Sequence, residues 1–147
     1  MKDSEWELAR RRKFKILFGI SMVGLFLFCS AAFGEDLSPE VTVSKYYDNM
    51  KNSHFEQAYE YISQNMRDGR SKDKWAEDWR KILKSGKVLI LEVQVSPSKI
   101  EGNKATVRVK IRSTDIFNPK GLVEEEIDHL IKEKNVWKID ETEVLFE

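Results

Sequence analysis

Apolar and charged residues alternate in the C-terminal third of the chain. In residues 105–112, apolar residues occupy the odd positions and Thr, Arg or Lys the even positions. This period of two predicts a half-buried strand. A second strand follows, with Val123, Ile127 and Ile131 predicted to face the core and the acidic residues between them to face solvent, and a third strand covers 137–140. One dry face and one wet face are typical of an antiparallel sheet.

An earlier strand and three turns complete the predicted sheet. Residues 87–95 form the first strand, and its start is apolar on both faces, so we expect it to be covered on both sides. Turns are predicted at 101–104 and 118–121, where Gly, Asn and Pro favour them, and at 133–135. The prediction is a four-stranded antiparallel meander.

Three amphipathic helices are predicted before the sheet. The first runs from Ser38 to Met50, with Ser as N-cap and Pro at the first helical position. The second, 53–62, begins with a sequence that matches a capping box, and the third covers 74–83 and ends near Gly86. A polar loop, 67–71, separates these two helices. Helices followed by an antiparallel sheet predict an α+β domain.

The pairing of the second and third strands can be predicted from their apolar faces. If the apolar faces of the two strands lie on the same side of the sheet, the two residue numbers of each cross-strand pair add up to an even value near 238. Arg112 then faces Glu126, and Lys110 faces Asp128. We interpret this as pairing of a basic strand with an acidic one on a solvated face, which contributes little to stability.

Charge and cysteine content narrow the class of partner. The whole chain has no formal net charge, but residues 1–34 hold 6 of the 25 basic and 3 of the 25 acidic residues, which leaves −3 on 35–147. That balance argues against a nucleic-acid partner. The single cysteine, Cys29, lies in the apolar N-terminal segment, so 35–147 has no disulfide, thiol nucleophile or cysteine metal site. Lipid attachment at Cys29 is disfavoured because the bulky Phe28 precedes it.

The N-terminus has the pattern of an export signal. Five basic residues within 10–15 precede 16–33, which carries no formal charge, and Ala32 and Gly34 are small residues suited to cleavage after Gly34. An uncleaved membrane anchor is the alternative, since eighteen apolar residues are at the lower limit for crossing a bilayer. Both interpretations divide the chain into 1–34, a signal peptide or anchor, and 35–147, a single domain that is periplasmic, secreted or membrane-anchored.

The order of elements in residues 38–146 resembles the nuclear transport factor 2-like superfamily, and in particular its small exported bacterial members of unknown function. The most recognisable pieces are the helix at 55–59 and the strand at 137–139. The resemblance implies three helices on a curved four-stranded sheet, the cystatin-like cone, whose inner face and helices enclose a pocket. Some members are dehydratases or isomerases, and others bind ligands, dimerise or act as accessory domains, so a homodimer is one implied possibility.

Polar residues that interrupt the predicted inner face are candidates for a site. A register sum of 270 for the last hairpin places Glu141 opposite His129, and a histidine oriented by a carboxylate can act as a general base. We therefore single out His129, with Asp115 or Glu141, as the candidate catalytic set. The alternative is a histidine that is hydrogen-bonded within the core. The candidate pocket-lining residues, whose aromatic members could instead be core, are Tyr46, Tyr47, Tyr59, Trp75, Trp79, Ser113, Glu125 and Trp137.

The functional hypotheses follow from a complete fold pattern without a catalytic motif. His54 and His129 have no metal-ligand spacing, and the chain has no Gly-rich phosphate loop, so we expect no metal and no cofactor. The first hypothesis is an exported non-catalytic domain that binds a small apolar ligand or a protein partner. The alternatives are a lyase or isomerase that uses His129 with a carboxylate, and a structural or assembly module tethered to a membrane through residues 16–33.

Overall fold

The computed structural model of the chain describes residues 37–145, and the predicted export segment lies outside them. Four α-helices and a short 3₁₀ helix precede five strands. Within 37–145, no helix is long and apolar enough to span a membrane. The elements are α1 (Pro39–Lys51), α2 (Phe55–Ala58), the 3₁₀ helix (Tyr59–Tyr61), α3 (Gln64–Arg67), α4 (Lys72–Gly86), β1 (Leu89–Val95), β2 (Lys99–Glu101), β3 (Lys104–Thr114), β4 (Leu122–Glu133) and β5 (Val136–Leu145).

Helix α1 begins as predicted. The Ser38 hydroxyl accepts a hydrogen bond from the backbone N–H of Val41 at 3.3 Å, and Pro39 occupies the first helical position. Its buried face includes Val43, Tyr46 and the other apolar positions predicted from the periodicity. This face packs against β1, β3 and β5, so α1 covers the inner face of the sheet.

The predicted second helix is wrong in its start and its length. Ser53 has a φ of +60°, and no side chain caps α2, which ends after Ala58 and gives way to the 3₁₀ helix. The capping box does not form because Ser53 and His54 complete the end of α1. Their backbone N–H groups donate to the carbonyls of Met50 (3.2 Å) and Asn49 (2.8 Å). The short helix α3 was not predicted.

Helix α4 is longer than predicted at both ends but stops at the predicted glycine. The Ser71 hydroxyl caps it by accepting from the N–H of Lys74 at 3.3 Å. Trp75 is buried, while Trp79 and Leu83 on the same stripe are partly buried against the core. The helix ends at Gly86, and Lys87 follows in the left-handed conformation.

The sheet has five strands in the order β1-β3-β4-β5, and the short β2 forms a hairpin with β3 beyond the end of β1. The predicted meander of four strands lacked β2, which has three exposed residues and therefore no apolar alternation. The start of β1 is not covered on both sides, because Leu89 is 63% exposed and Leu91 is also exposed. It is an edge strand, which leaves these residues without neighbours on one side.

The predicted register of β3 and β4 is wrong. The observed and predicted sums of paired residue numbers differ by an odd number, so each side chain of β4 lies on the face opposite to the predicted one. Facing residues sum to 235, with Lys110 opposite Glu125 and Val107 opposite Asp128. A one-residue change of register reverses the face of every side chain. Val123, Ile127 and Ile131 therefore lie on the outer face of the sheet, away from the helices, in line with the exposed side chains of β3.

The β4–β5 hairpin turns at Lys134 and Asn135, both in the left-handed conformation, and its register near His129 has the predicted sum of 270. A bulge at Asp140 produces this value by shifting the pairing from the sum of 269 next to the turn. The Ser63 hydroxyl donates to the Asp140 carboxylate at 2.6 Å and links the bulge to the helices. Because of the bulge, Ile139 and Thr142 both face inward.

Candidate functional site

Four polar side chains meet on the inner face of the sheet beneath α1. The hydroxyl of Tyr47 lies 2.7 Å from Oε2 of Glu126 and 3.4 Å from Oδ1 of Asp128. Thr142 on β5 donates from its hydroxyl to the same Oδ1 at 2.6 Å. We call Tyr47, Glu126, Asp128 and Thr142 the inner acid cluster. Its hydrogen bonds join residues up to 81 positions apart, which only the folded chain brings together.

Burial dominates the electrostatics of the inner acid cluster. Asp128 is fully buried, and this raises the pKa of its carboxyl from 3.8 to about 7, with the charge of Glu126 adding to the effect and the bond from Thr142 opposing it. Burial, followed by the nearby charge of Asp128, also raises the pKa of Tyr47, which therefore stays a neutral donor. Asp128 Oδ2 has no hydrogen-bond partner among the described residues.

The chemistry open to Asp128 is restricted by its enclosure. A carboxyl with a pKa near neutrality can exchange a proton under physiological conditions, which is a property of many general acids and bases. A reacting group must also come within hydrogen-bond distance of a substrate, and the side chain of Asp128 has no exposed surface. The structure therefore favours a role in the core for Asp128.

His129 and Glu141 are cross-strand partners, as predicted, but they lie on the outer face of the sheet. The His129 side chain is 41% exposed, and its Nε2 lies 3.6 Å from Oε2 of Glu143. Both predicted residues line an open depression of about 330 Å³ beside β2, together with Asp140. The histidine thus has acidic neighbours and access to solvent, but no enclosed pocket.

Asp115 is separated from His129 by most of the length of β3. It lies just beyond Thr114, whereas Thr106 is the residue opposite His129. Eight residues of strand separate these two threonines, or about 26 Å at 3.3 Å per residue. The Asp115 carboxylate accepts bonds from the N–H groups of Phe117 and Asn118, both at 2.7 Å, so it shapes the turn. The fold does not bring Asp115 and His129 together.

On the outer face of the sheet, β4 alternates aliphatic side chains with Glu125 and His129, between the basic strand β3 and the acidic strand β5. Ile127 on β4 lies directly between Arg108 on β3 and Glu143 on β5. Val123, at 55%, is among the exposed large apolar residues, and Ile131 is partly exposed on the same face. We call this surface the outer β4 face. Its side chains are those of Arg108, Lys110, Arg112, Val123, Glu125, Ile127, His129, Ile131, Glu141 and Glu143.

The described residues contain no group of three or more His, Cys, Asp or Glu side chains arranged to hold a metal ion.

The fold is shared with several solved structures. A SEC-C motif-containing protein from Rhodopseudomonas palustris aligns with a TM-score of 0.61 and 22% identity, over 74% of this chain and 80% of that one. A ketosteroid isomerase-like protein from Erwinia carotovora aligns with a TM-score of 0.53 and 15% identity, over 74% and 94% of the two chains. No family model matches the sequence, and no curated protein matches it either.

A third similar structure is a hypothetical protein from Catenulispora acidiphila with a ketosteroid isomerase-like fold, in complex with trimethylamine. It aligns with a TM-score of 0.52 and 9% identity, over 75% and 87% of the two chains. This chain has the nuclear transport factor 2-like fold. The predicted fold class is thereby confirmed. At sequence identities this low, the similarity to these proteins is limited to the fold.

The interior of this nuclear transport factor 2-like cone is filled by the aromatic candidates. Tyr46, Tyr47, Trp75 and Trp137 are each at most 5% exposed, and Tyr59 is 9% exposed. The Tyr46 and Tyr47 rings pack edge to face at 5.0 Å, as do those of Tyr59 and Trp75 at 5.8 Å. Ser113 is buried on the inner face, and Glu125 lies on the outer face in ion pairs with Arg108 and Lys110.

Sequence analysis missed the inner acid cluster of the nuclear transport factor 2-like cone. Glu126 and Asp128 occur in an acidic run that reads as a solvated strand, and the residues that satisfy them come from α1 and β5. One signal was available: Thr142 is a polar residue next to Glu141, the strand partner of His129, and lies opposite Asp128. Without the correct register, that signal could not be connected to Asp128.

Proposed function

We propose that residues 35–147 form an exported, non-catalytic domain that binds a protein surface through its outer β4 face, with a second copy of the chain as the partner. The observation that carries this proposal is that β4 turns Val123, Ile127 and Ile131 outward, away from the helices. An aliphatic stripe on an otherwise charged sheet face is typical of an interface.

The charges beside the stripe favour a second copy over an unrelated partner. A twofold axis along β4 would place β3 of one copy over β5 of the other, since such a rotation exchanges the two sides of the sheet. Arg108 would then meet Glu143 of the other copy, while Ile127 would pack near the axis. The charges of the two flanking strands are therefore complementary across this axis. A twofold axis across the strands would instead set Arg108 against Arg108.

The absence of catalysis in this proposal is supported by the filled cone. The aromatic residues that could have lined a pocket are core residues, and the most perturbed carboxyl, Asp128, is enclosed. Export is supported by the sequence pattern of residues 10–34, with a single-span anchor as the alternative. The mass of the mature chain, beginning at Glu35 or at Met1, separates these two possibilities.

Charge reversal tests the proposed pairing. Sedimentation equilibrium would measure the self-association of the chain and of three variants: Arg108→Glu, Glu143→Arg and the double variant. Each single reversal puts like charges opposite each other twice per dimer, so we expect at least tenfold weaker association. The double variant restores opposite charges and should recover most of the affinity. Reversal of Lys81, on α4 and away from the sheet, serves as the control and should change nothing.

A monomeric wild-type chain at all concentrations would overturn the proposal. So would single and double variants that associate equally well, because the interface would then lie elsewhere. Rescue by the double variant is the sharpest outcome, since a general effect of net charge cannot produce it.

A lyase or isomerase that uses His129 is the second candidate. It is favoured by the meeting of His129 and Glu141 in an open depression. The two candidates make opposite demands, because a dimer through the outer β4 face would cover His129, whereas an enzyme needs it accessible. Modification by diethyl pyrocarbonate, with the exposed His54 as internal reference, distinguishes them. Protection of His129 as concentration rises supports the dimer, and constant reactivity supports the enzyme.

A further inference from the structure

An open groove lies beside the edge strand β1, which β3 separates from β4. It runs between the end of α1, helix α4 and the start of β1, and its volume is about 380 Å³, within the range of small-molecule sites. Met50 and Phe55 form a buried apolar floor, and Leu89 is exposed at its edge. The lining residues of this α1–α4 groove are Met50, Lys51, Ser53, Phe55, Arg80, Leu83, Lys84, Lys87, Val88, Leu89 and Ile90.

The rim of the α1–α4 groove is entirely cationic. Its charged lining residues are Lys51, Arg80, Lys84 and Lys87, with no Asp or Glu among them. Arg80 is paired with Glu56 outside the groove, at 2.8 Å, whereas Lys84 and Lys87 form no ion pair within residues 37–145. The partial negative charge at the carboxyl end of helix α4 attracts cations, and this explains in part why Lys84 and Lys87 lie there. It does not account for an apolar floor with positive charge on both sides.

Several backbone groups along the groove already have partners. The N–H groups of Lys87 and Val88 donate to the last turn of α4, at 3.2 and 2.9 Å. The carbonyl of Leu91 accepts from the Lys51 ammonium at 2.8 Å, and Leu89 pairs with Thr114 of β3. A bound peptide strand needs free backbone donors and acceptors along its length. An alkyl chain needs none, and the apolar floor and the cationic rim together suit an amphiphile with a negative head group.

From this combination we infer that the α1–α4 groove binds a fatty-acid anion. Its alkyl chain lies on the floor formed by Met50, Phe55 and Leu83, and its carboxylate meets Lys84 and Lys87. The site is separate from the outer β4 face, so the inference stands or fails independently of self-association.

Dodecanoate, below the concentration at which it aggregates, is the probe for this site. Isothermal titration calorimetry on the full chain would compare the wild type with Lys84→Glu/Lys87→Glu and with Leu89→Asp. We expect saturable binding by the wild type and at least a tenfold loss of affinity in each variant. The three substituted side chains are exposed, so circular dichroism should show an unchanged fold. Lys104→Glu, outside the groove, is the matched control and should bind as the wild type does.

Two further probes separate the head group from the chain and the fatty acid from a peptide. Dodecyltrimethylammonium has the same chain with a positive head, and it should bind at least tenfold more weakly than dodecanoate. The inference is overturned if both amphiphiles bind equally, or if Lys84→Glu/Lys87→Glu binds dodecanoate as well as Lys104→Glu does. It is also overturned if a short glutamate-rich peptide binds in a lysine-dependent manner while dodecanoate does not.

Discussion

The two faces of β4 differ in a way that reverses the usual distribution of side chains. Its inner face carries Glu126 and Asp128 under the helices, while its outer face carries Ile127 and Ile131. The inner carboxylates are tolerated because Tyr47 and other hydroxyls from distant elements bind them. No contact among the described residues explains why the aliphatic side chains of β4 face outward. The comparison teaches that the inner face is completed by the fold, whereas the outer face calls for a partner.

The largest effect should come from the apolar part of the inner face. Leu130 is 1% exposed, so Leu130→Ala should lower the free energy of unfolding by about 2–5 kcal/mol, through lost burial and the cavity left behind. Its neighbour Ile131 faces outward, and Ile131→Ala should cost clearly less in the monomer. Urea unfolding of both variants at low concentration measures the difference. Equal losses would contradict the assignment of the two faces.

The next effect depends on pH and concerns Asp128. The pKa of about 7 in the folded chain exceeds the ordinary 3.8, so the folded state binds the proton more tightly than the unfolded chain does. The free energy of unfolding should therefore fall as pH rises from about 4 to 7, by up to about 4 kcal/mol from this group. Asp128→Asn removes the ionisation and keeps an acceptor for Thr142, so it should be more stable than the wild type at pH 8.

Chemical unfolding at pH 4.5 and pH 8 checks this prediction. The gain from Asp128→Asn should be largest at pH 8 and small at pH 4.5, where the carboxyl is already protonated. Glu125→Gln, on the outer face of the same strand, should show no gain at pH 8, because ion pairs with lysine and arginine lower the pKa of Glu125. A similar gain at both pH values would mean that ionisation of Asp128 is not the cause.

A smaller effect is expected from the hydroxyl that supports Asp128. Thr142→Val removes the 2.6 Å hydrogen bond, which should cost about 1–3 kcal/mol near neutral pH. The bond from Thr142 lowers the pKa of Asp128, so its loss should raise the pKa further and move the pH-dependent step upward. Carboxyl NMR titration can follow that step directly. Thr106→Val, on the outer face, is the matched control and should leave the step in place.

The smallest effect belongs to the ion pairs of the outer face. Lys110→Ala removes a 3.0 Å contact with Glu125 between two largely solvated side chains. Such exposed pairs typically contribute less than about 1 kcal/mol. Thermal unfolding of the monomer should therefore change very little, even at low salt. A loss comparable to that of Leu130→Ala would show that the outer face stabilises the fold by itself.

The fold class could be predicted from local sequence patterns, but the candidate site could not. Alternation in β3, the cap at Ser38 and the apolar spacing of α4 depend on neighbours in sequence, so helices α1 and α4 and most of the sheet could be predicted. The failures arose where distant groups decide. Tyr47 and Thr142 both donate to Oδ1 of the buried Asp128, and no pattern within β4 shows this.

Groups distant in sequence also explain why the predicted register of β3 and β4 was wrong. Prediction placed the aliphatic residues of β4 inward, which is correct for a strand that completes its burial within one chain. In this protein, Val123 and Ile127 face outward, so the rule failed at the surface that we propose to be an interface. The short turn at Lys134 and Asn135 sets a sum of 269 in the adjoining pairs, and the predicted sum of 270 holds at His129 only because the bulge at Asp140 adds one residue, which the sequence pattern did not show.

Cross-linking through β4 tests the central claim most directly. Ile127→Cys, in a chain whose only natural cysteine is replaced by Cys29→Ser, would be treated with a bis-maleimide long enough to span the roughly 10 Å between packed sheets. Val41→Cys, exposed on α1, is the control. The account predicts a covalent dimer for Ile127→Cys and a monomer for Val41→Cys. Equal yields from both, or no dimer from Ile127→Cys at concentrations where the chain self-associates, would contradict it.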